Sequence, residues 1–439
     1  MMKPSIIARA LRKIDRELQL SVIKETGASL RNLALSESDL AKRQDEMLRR
    51  IVKHAYETVP YYRELFDSAS LKPSDISGTK DLYKIPVTSK HDLQNADCIS
   101  SSFDRSQLLE TTTGGSTGIP LHIFMEKKTA ARRVAEGRRI LYLHGYKAFY
   151  KKLILAFHTY TPDFINKLGF YRQEAVPWDA DLKEQTDRIA SYKPDVIEGY
   201  PSRLGLLADH ILLNEISLPK PKFIVTNSEM LYPEVRDKIE RAFGCEVVNV
   251  YDSEEFGQVA WECTRHNLHV NADTRIIEIL DNGNPAGQGT PGEVVCTDLI
   301  NYAMPLIRYK IGDIASWSAK KCECGIAYPV LSGITGRASE YLVMPSGKRI
   351  SSTVVYIPPS IPGIVQYQIV QTAPACLDVK IVRAKDFTEE TARKIKEHLT
   401  GSTGIRDVRL HYVSSIRKTK RAKFRRFIPL SNHGPGKER

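Results

Sequence analysis

Residues 222–257, KFIVTNSEMLYPEVRDKIERAFGCEVVNVYDSEEFG, contain the pattern that decides the fold. The run Lys222–Thr226 is short and β-rich, which predicts a buried strand. Pro233 then opens a stretch whose apolar residues recur at helical spacing. The run Glu246–Tyr251 predicts the next strand. A strand, a helix and a strand at this spacing indicate a parallel α/β unit.

Farther along the chain, the pattern changes twice. The runs Arg275–Leu280 and Glu293–Cys296 flank a segment rich in Gly, Pro and Asn, which predicts an antiparallel pair. After Gly336 a new pattern begins. We predict short strands at 341–344, 365–370 and 377–383, and a helix at 388–399. The expected fold class is α/β, with a large N-terminal domain and a small α+β C-terminal domain. The predicted divisions are 1–335, a junction at 336–340, 341–430 and a flexible tail at 431–439.

At the N-terminal side, residues 38–66 are expected to be helical, with Ser38 as the cap and Pro60 as the stop. Met1–Leu20 is basic and amphipathic, but it lacks the apolar core and cleavage site of a secretory signal. No apolar run approaches the ~20 residues that a transmembrane helix needs. The seven cysteines are scattered, which favours a reducing compartment, and we expect a cytoplasmic protein.

The formal net charge of +12 makes polyanions plausible partners, among them nucleotides, phosphate-bearing cofactors and nucleic acid. A candidate phosphate site is Thr111–Pro120, TTTGGSTGIP. Its glycines permit close backbone approach, and its hydroxyls and backbone N–H groups can surround an anion. It matches neither the Walker loop nor the dinucleotide fingerprint, and a plain flexible turn is the alternative. The candidate ligands are Thr112, Thr113, Gly114, Gly115, Ser116, Thr117 and Gly118.

Four further motifs follow that loop in order: YDSEEFG at 251–257, IRYKIGD at 307–313, GRASE at 336–340 and TKRAKFRRF at 419–427. Together with HAYETVPYY at 54–62, they resemble the adenylate-forming (acyl-CoA synthetase) superfamily. Within it, the chain is similar to the phenylacetate–CoA ligase-like branch, which includes adenylating proteins of capsular polysaccharide biosynthesis. The resemblance extends over residues 40–430.

The resemblance implies ATP-dependent activation of a carboxylic acid, followed by transfer to coenzyme A. The resemblance implies that Tyr251 stacks on adenine, that Glu255 binds Mg²⁺ and that Asp313 accepts hydrogen bonds from the ribose. It also implies that Arg337 approaches the ribose and phosphates, and that Lys423 stabilises the charge that develops at the α-phosphate. Glu254 is the alternative metal ligand. Ser339 takes the place of the usual hinge residue.

Several positions depart from the superfamily pattern. They are Ile119, Asp252, Glu254, Lys310, Ser339 and Ala422. The departures at Ile119, Asp252, Glu254 and Ser339 keep open a nucleotide-binding protein without turnover. The polysaccharide-associated members of the branch keep open an adenylating transferase with an amine or sugar acceptor. The acid itself is not evident. Its pocket is expected near Gly199–Pro201, Asn227–Leu231 and Tyr251, and the following residues could line that pocket or belong to the core: Tyr200, Phe256, Phe157 and His158.

Seven of the twelve residues in Ile416–Phe427 are Lys or Arg. A nucleic-acid or anionic-membrane surface is one interpretation of that run. No aromatic platform or nucleic-acid motif accompanies it, so we expect polyphosphate steering around Lys423 and no nucleic-acid partner.

Cys263-x-x-His266 and Cys322-x-Cys324 supply four soft ligands from two segments. Tetrahedral Zn²⁺ accepts a Cys₃His set in closed structural sites. We predict such a structural site, with His269 as the alternative to His266 and unmetallated thiols as the other interpretation. The spacing in the second pair is tighter than the usual two-residue gap.

Overall fold

The structure, a computed structural model, describes residues 16–113, 120–156, 164–337, 341–347, 349–358, 361–416 and 425–430. These residues form two compact units. The larger unit consists of the described residues up to Ile311 together with Ala315–Ile334. The smaller, C-terminal unit consists of Gly312–Ile314 and the described residues from Thr335 onward.

The larger unit starts with four successive α-helices, and helices and strands then follow each other until a run of strands ends the unit. Its helices are α1 (Arg16–Asn32), α2 (Glu37–Thr58), α3 (Pro60–Ser68), α4 (Lys90–Gln94), α5 (Lys127–Leu143), α6 (Phe164–Lys167), α7 (Leu182–Tyr192), α8 (Pro201–Leu213) and α9 (Pro233–Phe243). The strands up to the second unit are β1 (Leu109–Thr112), β2 (His122–Met125), β3 (Lys152–Ala156), β4 (Gln173–Pro177), β5 (Val196–Gly199), β6 (Phe223–Thr226), β7 (Glu246–Ser253), β8 (Gly257–Glu262), β9 (Leu268–Val270), β10 (Arg275–Asp281), β11 (Asn284–Pro285), β12 (Gly292–Asp298), β13 (Tyr309–Trp317) and β14 (Val330–Arg337).

Twelve strands form one sheet in the order β11-β10-β12-β13-β14-β9-β8-β7-β6-β5-β3-β4. The strands β4, β3, β5, β6 and β7 are parallel neighbours. From β7 to β8 and β9 the pairing is antiparallel. The predicted unit of β6, α9 and β7 is therefore confirmed, and it lies next to the point where the sheet changes from parallel to antiparallel.

Local sequence explains why this unit forms. All four residues of β6 are buried, as expected for a parallel strand that is covered on both faces. Helix α9 starts with Pro233 in its first turn and ends at Gly244, which adopts φ of 66°. A glycine in this conformation closes a helix without the cost that a Cβ would add. The helix buries Ile239 and Phe243 against the sheet.

The predicted antiparallel pair is also confirmed, because β10 and β12 pair from Arg275↔Asp298 to Leu280↔Glu293. Residues 38–66 are helical, but as two helices, α2 and α3. The cap is Ser36 and not Ser38, since the Ser36 Oγ accepts the backbone N–H of Asp39 at 3.1 Å. Pro60 opens α3, where its fixed φ and missing N–H suit the first turn.

The smaller unit has its own hydrophobic cluster, which includes Leu377, Val379 and Ile395. Its elements are β15 (Tyr341–Val343), β16 (Arg349–Ser351), β17 (Ile364–Ala373), β18 (Cys376–Arg383), α10 (Glu389–Thr403), β19 (Asp407–Tyr412) and β20 (Phe427–Ile428). Four strands form a sheet in the order β19-β18-β17-β20. In the described part of the chain, no helix is both long and apolar enough to cross a membrane.

Candidate active site

The predicted site residues of the larger unit gather at the carboxyl edge of the parallel strands. The strands β5, β6 and β7 end at Gly199, Thr226 and Ser253, and each is followed by a segment that the sequence analysis singled out. Ligands of open α/β sheets bind outside this edge. The geometry of these loops therefore decides what the site can bind.

The loop after β6 is held by a carboxylate from β7. An Asp252 Oδ1 atom accepts the backbone N–H of Ser228 at 2.8 Å, and the second oxygen accepts the Ser228 hydroxyl at 3.2 Å. Ser228 has φ of 63°, in the left-handed region that non-glycine residues rarely adopt. Next to it, Asn227 donates its side-chain N–H to Glu198 at 3.0 Å. Asp252, which departs from the superfamily pattern, thus stabilises the conformation of this loop.

The turn after β7 contains the two candidate metal carboxylates. The Thr111 hydroxyl donates to Glu254 at 3.1 Å, and the Tyr309 hydroxyl donates to Glu255 at 3.1 Å. Glu255 is buried, with 9% of its surface exposed. Glu254 therefore contacts β1, the strand that leads into the Gly-rich loop, whereas Glu255 lies deeper against β13.

Two buried arginines fix the backbone of this turn. The guanidinium of Arg133, on α5, donates to the carbonyl oxygen of Glu255 at 2.6 Å. The Nε of Arg275, on β10, donates to the carbonyl oxygen of Phe256 at 3.1 Å. The consecutive carbonyl oxygens of Glu255 and Phe256 thus each accept a hydrogen bond from a charged side chain. Hydrogen bonds with an ionised partner are roughly twice as strong as neutral ones.

Each arginine has a buried counter-charge. Arg133 pairs with Asp298 at 3.0 Å, and Arg275 pairs with Glu136 at 2.8 Å. Burial lowers the pKa of Arg275, but the carboxylates of Glu136 and Asp298 more than offset it, so the net pKa is raised. The Arg275 guanidinium is therefore charged. The sequence carries no local sign of this network, because its partners are far apart in the chain.

The start of the Gly-rich loop lies in a hairpin beside Glu254. Thr112 ends β1. The backbone N–H of Thr113 donates to the carbonyl oxygen of Leu121 at 2.9 Å, and the Thr113 hydroxyl accepts the Leu121 N–H at 2.9 Å. The hairpin thus brings the two ends of the loop together. The other predicted loop ligands lie outside the described residues: Gly114, Gly115, Ser116, Thr117 and Gly118.

The aromatic candidates separate into two groups. Tyr251 is half-buried on β7, and Tyr200 is half-buried at the start of α8. Phe256 is fully buried, with its ring centroid 5.9 Å from that of Tyr309, so it belongs to the core. Phe157 and His158 lie outside the described residues.

Asp313 and Arg337 meet in the smaller unit. The Arg337 Nε lies 2.9 Å from the Asp313 carboxylate, whose side chain is only 9% exposed, whereas the arginine side chain is 48% exposed. The structure thus brings together two residues that are predicted to contact ribose and phosphate. The predicted catalytic Lys423 and hinge Ser339 lie outside the described residues.

A separate cluster contains the predicted metal ligands. One ligand atom each from Cys263, His269, Cys322 and Cys324 lies within 4.8 Å of all the others. The prediction of His266 as the fourth ligand is wrong, and the alternative His269 takes its place. His266 follows a tight turn, with φ of 55°, and its Nδ1 lies 3.5 Å from Glu262.

The surroundings of this cluster suit a cation. The Nε2 of His269 lies 3.3 Å from the Cys324 Sγ, while its Nδ1 lies 2.9 Å from the backbone oxygen of Tyr328. A hydrogen bond from one ring nitrogen to a carbonyl orients the other nitrogen toward a metal. Backbone N–H groups also approach sulfur, at 3.3 Å for Cys263 and 3.4 Å for Cys322. The donor set fits the preferences of Zn²⁺.

Comparison with known proteins identifies proteins that are similar to this chain in sequence. The chain is 29% identical over 398 residues to the phenylacetate–coenzyme A ligase of Thermus thermophilus, which covers 84% of this chain and 86% of that one. It is 26% identical over 292 residues to the protein CapK of Staphylococcus aureus, which covers 63% of each chain. No protein-family model matches the sequence.

Among solved structures, 2-hydroxyisobutyryl-CoA ligase in complex with 2-HIB-AMP aligns with a TM-score of 0.77 over 91% of both chains, at 21% identity. This likeness establishes the fold. The sequence relatives and the five ordered motifs agree with it. The chain therefore has the fold of this acyl-CoA ligase, and its sequence is similar to that of phenylacetate–coenzyme A ligases over most of its length.

Proposed function

We propose that this chain activates a carboxylic acid with ATP and transfers the acyl group to coenzyme A. The observation that carries the proposal is the turn at Glu255, which two buried arginines hold beside the hairpin of the Gly-rich loop. A preorganised carboxylate next to a phosphate-binding loop suits phosphoryl chemistry, which depends on positioning and electrostatics. The phenylacetate–coenzyme A ligase relatives support the same reaction.

The first half-reaction joins the acid to AMP. A carboxylate oxygen attacks the α-phosphorus of ATP, and the bond from that phosphorus to the bridging oxygen breaks. Pyrophosphate leaves with the electron pair, and the acyl-adenylate remains. The proposed ATP ligands are Thr112, Thr113, Gly114, Gly115, Ser116, Thr117, Gly118, Tyr251, Asp313 and Arg337.

Glu255 is the proposed ligand of Mg²⁺, because its buried carboxylate is the hard oxygen donor that this cation prefers. When bound, the ion would neutralise charge on the phosphate oxygens. Thr111 donates to Glu254 and therefore holds this neighbouring carboxylate beside the end of β1. The arginine network keeps the Glu255 backbone in place during this step.

Lys423 is the proposed donor to the oxygens that gain charge in the transition state. Removing such a donor typically costs ~3–4 kcal/mol of barrier. The junction around Ser339 is the proposed hinge on which the smaller unit moves between half-reactions. In the second half-reaction the coenzyme A sulfur attacks the acyl carbon, the thiol proton is lost, and AMP leaves.

A second candidate acceptor is an amine or a sugar hydroxyl, and the similarity to CapK is the observation that favours it. The two candidates differ in their products. Purified protein would be incubated with ATP, Mg²⁺ and a panel of aryl, short-chain hydroxy and fatty acids, with and without coenzyme A. Mass spectrometry of the products would then show which acyl compound forms.

An acyl-CoA thioester that accumulates with AMP is the expected product. AMP release that coenzyme A does not stimulate, together with an amide or ester on an added amine or sugar, would replace coenzyme A by that acceptor. ATP binding without any AMP from any acid would support the binding protein without turnover.

We also propose that the cysteine–histidine cluster binds one structural Zn²⁺. The ion would connect the segment after β8 to the segment before β14. Metal analysis of the purified chain should find about one zinc per chain. The variant C322S/C324S should lose it, whereas C245S, which changes a half-buried thiol outside the cluster, should keep it. Metal-free wild-type protein of unchanged thermal stability would contradict the assignment.

A further inference from the structure

Two neighbouring loops of the larger unit expose large apolar side chains. Phe149, Leu168 and Phe170 are 55%, 59% and 48% exposed. Single exposed apolar residues are ordinary on protein surfaces, but a group of them on adjoining loops indicates an interaction site. Three exposed cations lie on the same two segments, one of them at the end of α6. We call this set the basic–apolar patch, and it consists of Phe149, Leu168, Phe170, Lys147, Lys167 and Arg172.

Hydrogen bonds join the two loops. The backbone N–H of Tyr171 donates to the carbonyl oxygen of Ala148, and the Arg172 guanidinium donates to the carbonyl oxygen of Phe149 at 2.9 Å. The buried Asn166 donates to the carbonyl oxygen of Tyr171 at 2.8 Å. The two segments that carry the exposed apolar side chains are therefore held next to each other.

The base beneath the patch is packed. The hydroxyls of Tyr142 and Tyr171 lie 2.7 Å apart, and the guanidinium of Arg138 lies 3.8 Å from the centroid of the Tyr171 ring. The rings of Tyr146 and Tyr171 stack with centroids 6.4 Å apart. A platform of this kind presents exposed residues at little entropic cost upon binding.

The charge of these loops is of one sign. The segments 144–150 and 164–172, HGYKAFY and FINKLGFYR, contain no Asp or Glu. Apolar side chains flanked by Lys and Arg are the composition that binds at the surface of an anionic bilayer. Near such a surface each cation adds roughly 1 kcal/mol, or about a fivefold gain in affinity.

The position of the patch leaves the candidate active site open. The patch residues directly precede β3 and β4, which begin at Lys152 and Gln173 and run parallel. They therefore lie at the amino edge of the parallel strands. The site loops follow the carboxyl ends of the same sheet, at the opposite edge. A surface bound at the patch does not cover those loops.

From these observations we propose that the basic–apolar patch docks the protein on an anionic lipid surface. Phe149, Leu168 and Phe170 enter the acyl boundary, and the three cations pair with lipid phosphates. The proposal does not depend on the proposed reaction. It requires only apolar burial and charge complementarity.

Flotation with lipid vesicles tests the proposal. Full-length protein should float with vesicles of phosphatidylglycerol and phosphatidylcholine in equal parts, and should not float with phosphatidylcholine alone. The variant F149S/L168S/F170S should lose binding. The variant K147Q/K167Q/R172Q should bind about 100-fold more weakly, from about fivefold per cation. Added salt should weaken wild-type binding, since it screens exposed charges.

Two matched variants control for exposure and for net charge. Y83S changes an exposed aromatic residue outside the patch, and K42Q/R50Q/K53Q removes three exposed cations from α2. Both should bind as the wild type does. Binding that survives the triple serine change, or that K42Q/R50Q/K53Q weakens as much as the patch variant, overturns the proposal. So does a wild-type dimer that F149S/L168S/F170S converts to monomer without any change in flotation, because the patch would then join two copies.

Discussion

Replacing Arg275 with methionine tests the buried network beneath the Glu255 turn. Arg275 has no exposed surface, and its partner Glu136 is likewise buried. The change R275M would leave the Glu136 carboxylate without its cation in the interior. Removing one partner of a buried pair costs about 3–5 kcal/mol. The free energy of unfolding should fall by that amount.

The double variant E136M/R275M separates the cost of leaving the Glu136 carboxylate unpaired from the loss of the hydrogen bond to the Phe256 carbonyl. Replacing a whole buried pair by apolar side chains is often close to neutral, so most of the lost stability should return. The carbonyl of Phe256 would still lack its charged donor. The Glu255 turn should therefore hold Mg²⁺ about 10–100-fold more weakly, which is the usual loss when a group that orients a metal ligand is removed.

Tryptophan fluorescence during urea unfolding measures the free energy of unfolding of the larger unit, because Trp178, Trp261 and Trp317 all belong to it. The Mg²⁺ dependence of AMP formation measures how tightly the Glu255 turn binds the cation. K183M, which breaks an exposed pair on α7, is the control and should change neither. A loss below about 1 kcal/mol in R275M, or a double variant as unstable as R275M, would refute the reasoning.

Three further predictions follow from contacts near the site. D252A removes both oxygens that accept from Ser228, and the free energy of unfolding in urea should fall by about 1–3 kcal/mol. The added change S228G should recover part of this loss, because glycine tolerates the positive φ. Burial lowers the pKa of His144 from 6.5, despite its hydrogen bond to the Glu262 carbonyl oxygen. The stability that the neutral imidazole contributes is therefore present above pH 6.5 and is lost as the pH falls below that value. H144Q should flatten the decline in unfolding free energy between about pH 7 and pH 5, and an unchanged slope would contradict this. D313N should raise the KM for ATP by about 10–100-fold, and an unchanged KM would remove the proposed ribose contact.

Local sequence was enough to predict the central part of the fold. The strands β6 and β7 are short apolar runs, and Pro233 and Gly244 bound the helix between them. The hairpin of β10 and β12 likewise follows from two apolar runs around a turn-rich segment. In these cases the residues that determine an element lie inside it or next to it.

The arginine network could not be predicted in the same way. Arg133 lies 122 positions from Glu255, and Arg275 lies 139 positions from Glu136. Nothing local distinguishes Arg133 and Glu136 from the exposed charges on the same helix, because the tertiary fold alone buries them. The spacing of Arg133 and Glu136 on α5 places both near one face, which is the only sequence signal for their common burial.

The cysteine–histidine cluster was only partly predictable, for a different reason. The Cys-x-x-His spacing favoured His266, but the turn after Cys263 directs that residue toward Glu262. His269 reaches the thiols from β9, since that strand pairs with β14 next to the second cysteine segment. Spacing predicted the ligand types, and strand pairing determined which histidine takes part.

The most direct test of the central claim is carboxylate-dependent exchange of labelled pyrophosphate into ATP in the absence of coenzyme A. Wild-type protein should catalyse exchange with at least one acid of an aryl, hydroxy, fatty and amino acid panel. E255Q and K423A should lower the rate by about 100-fold or more, the loss expected for a charge-stabilising donor, whereas the neighbouring K420A should retain it. Exchange that persists in K423A would remove that lysine from the mechanism. ATP binding without exchange for any acid would contradict adenylation itself.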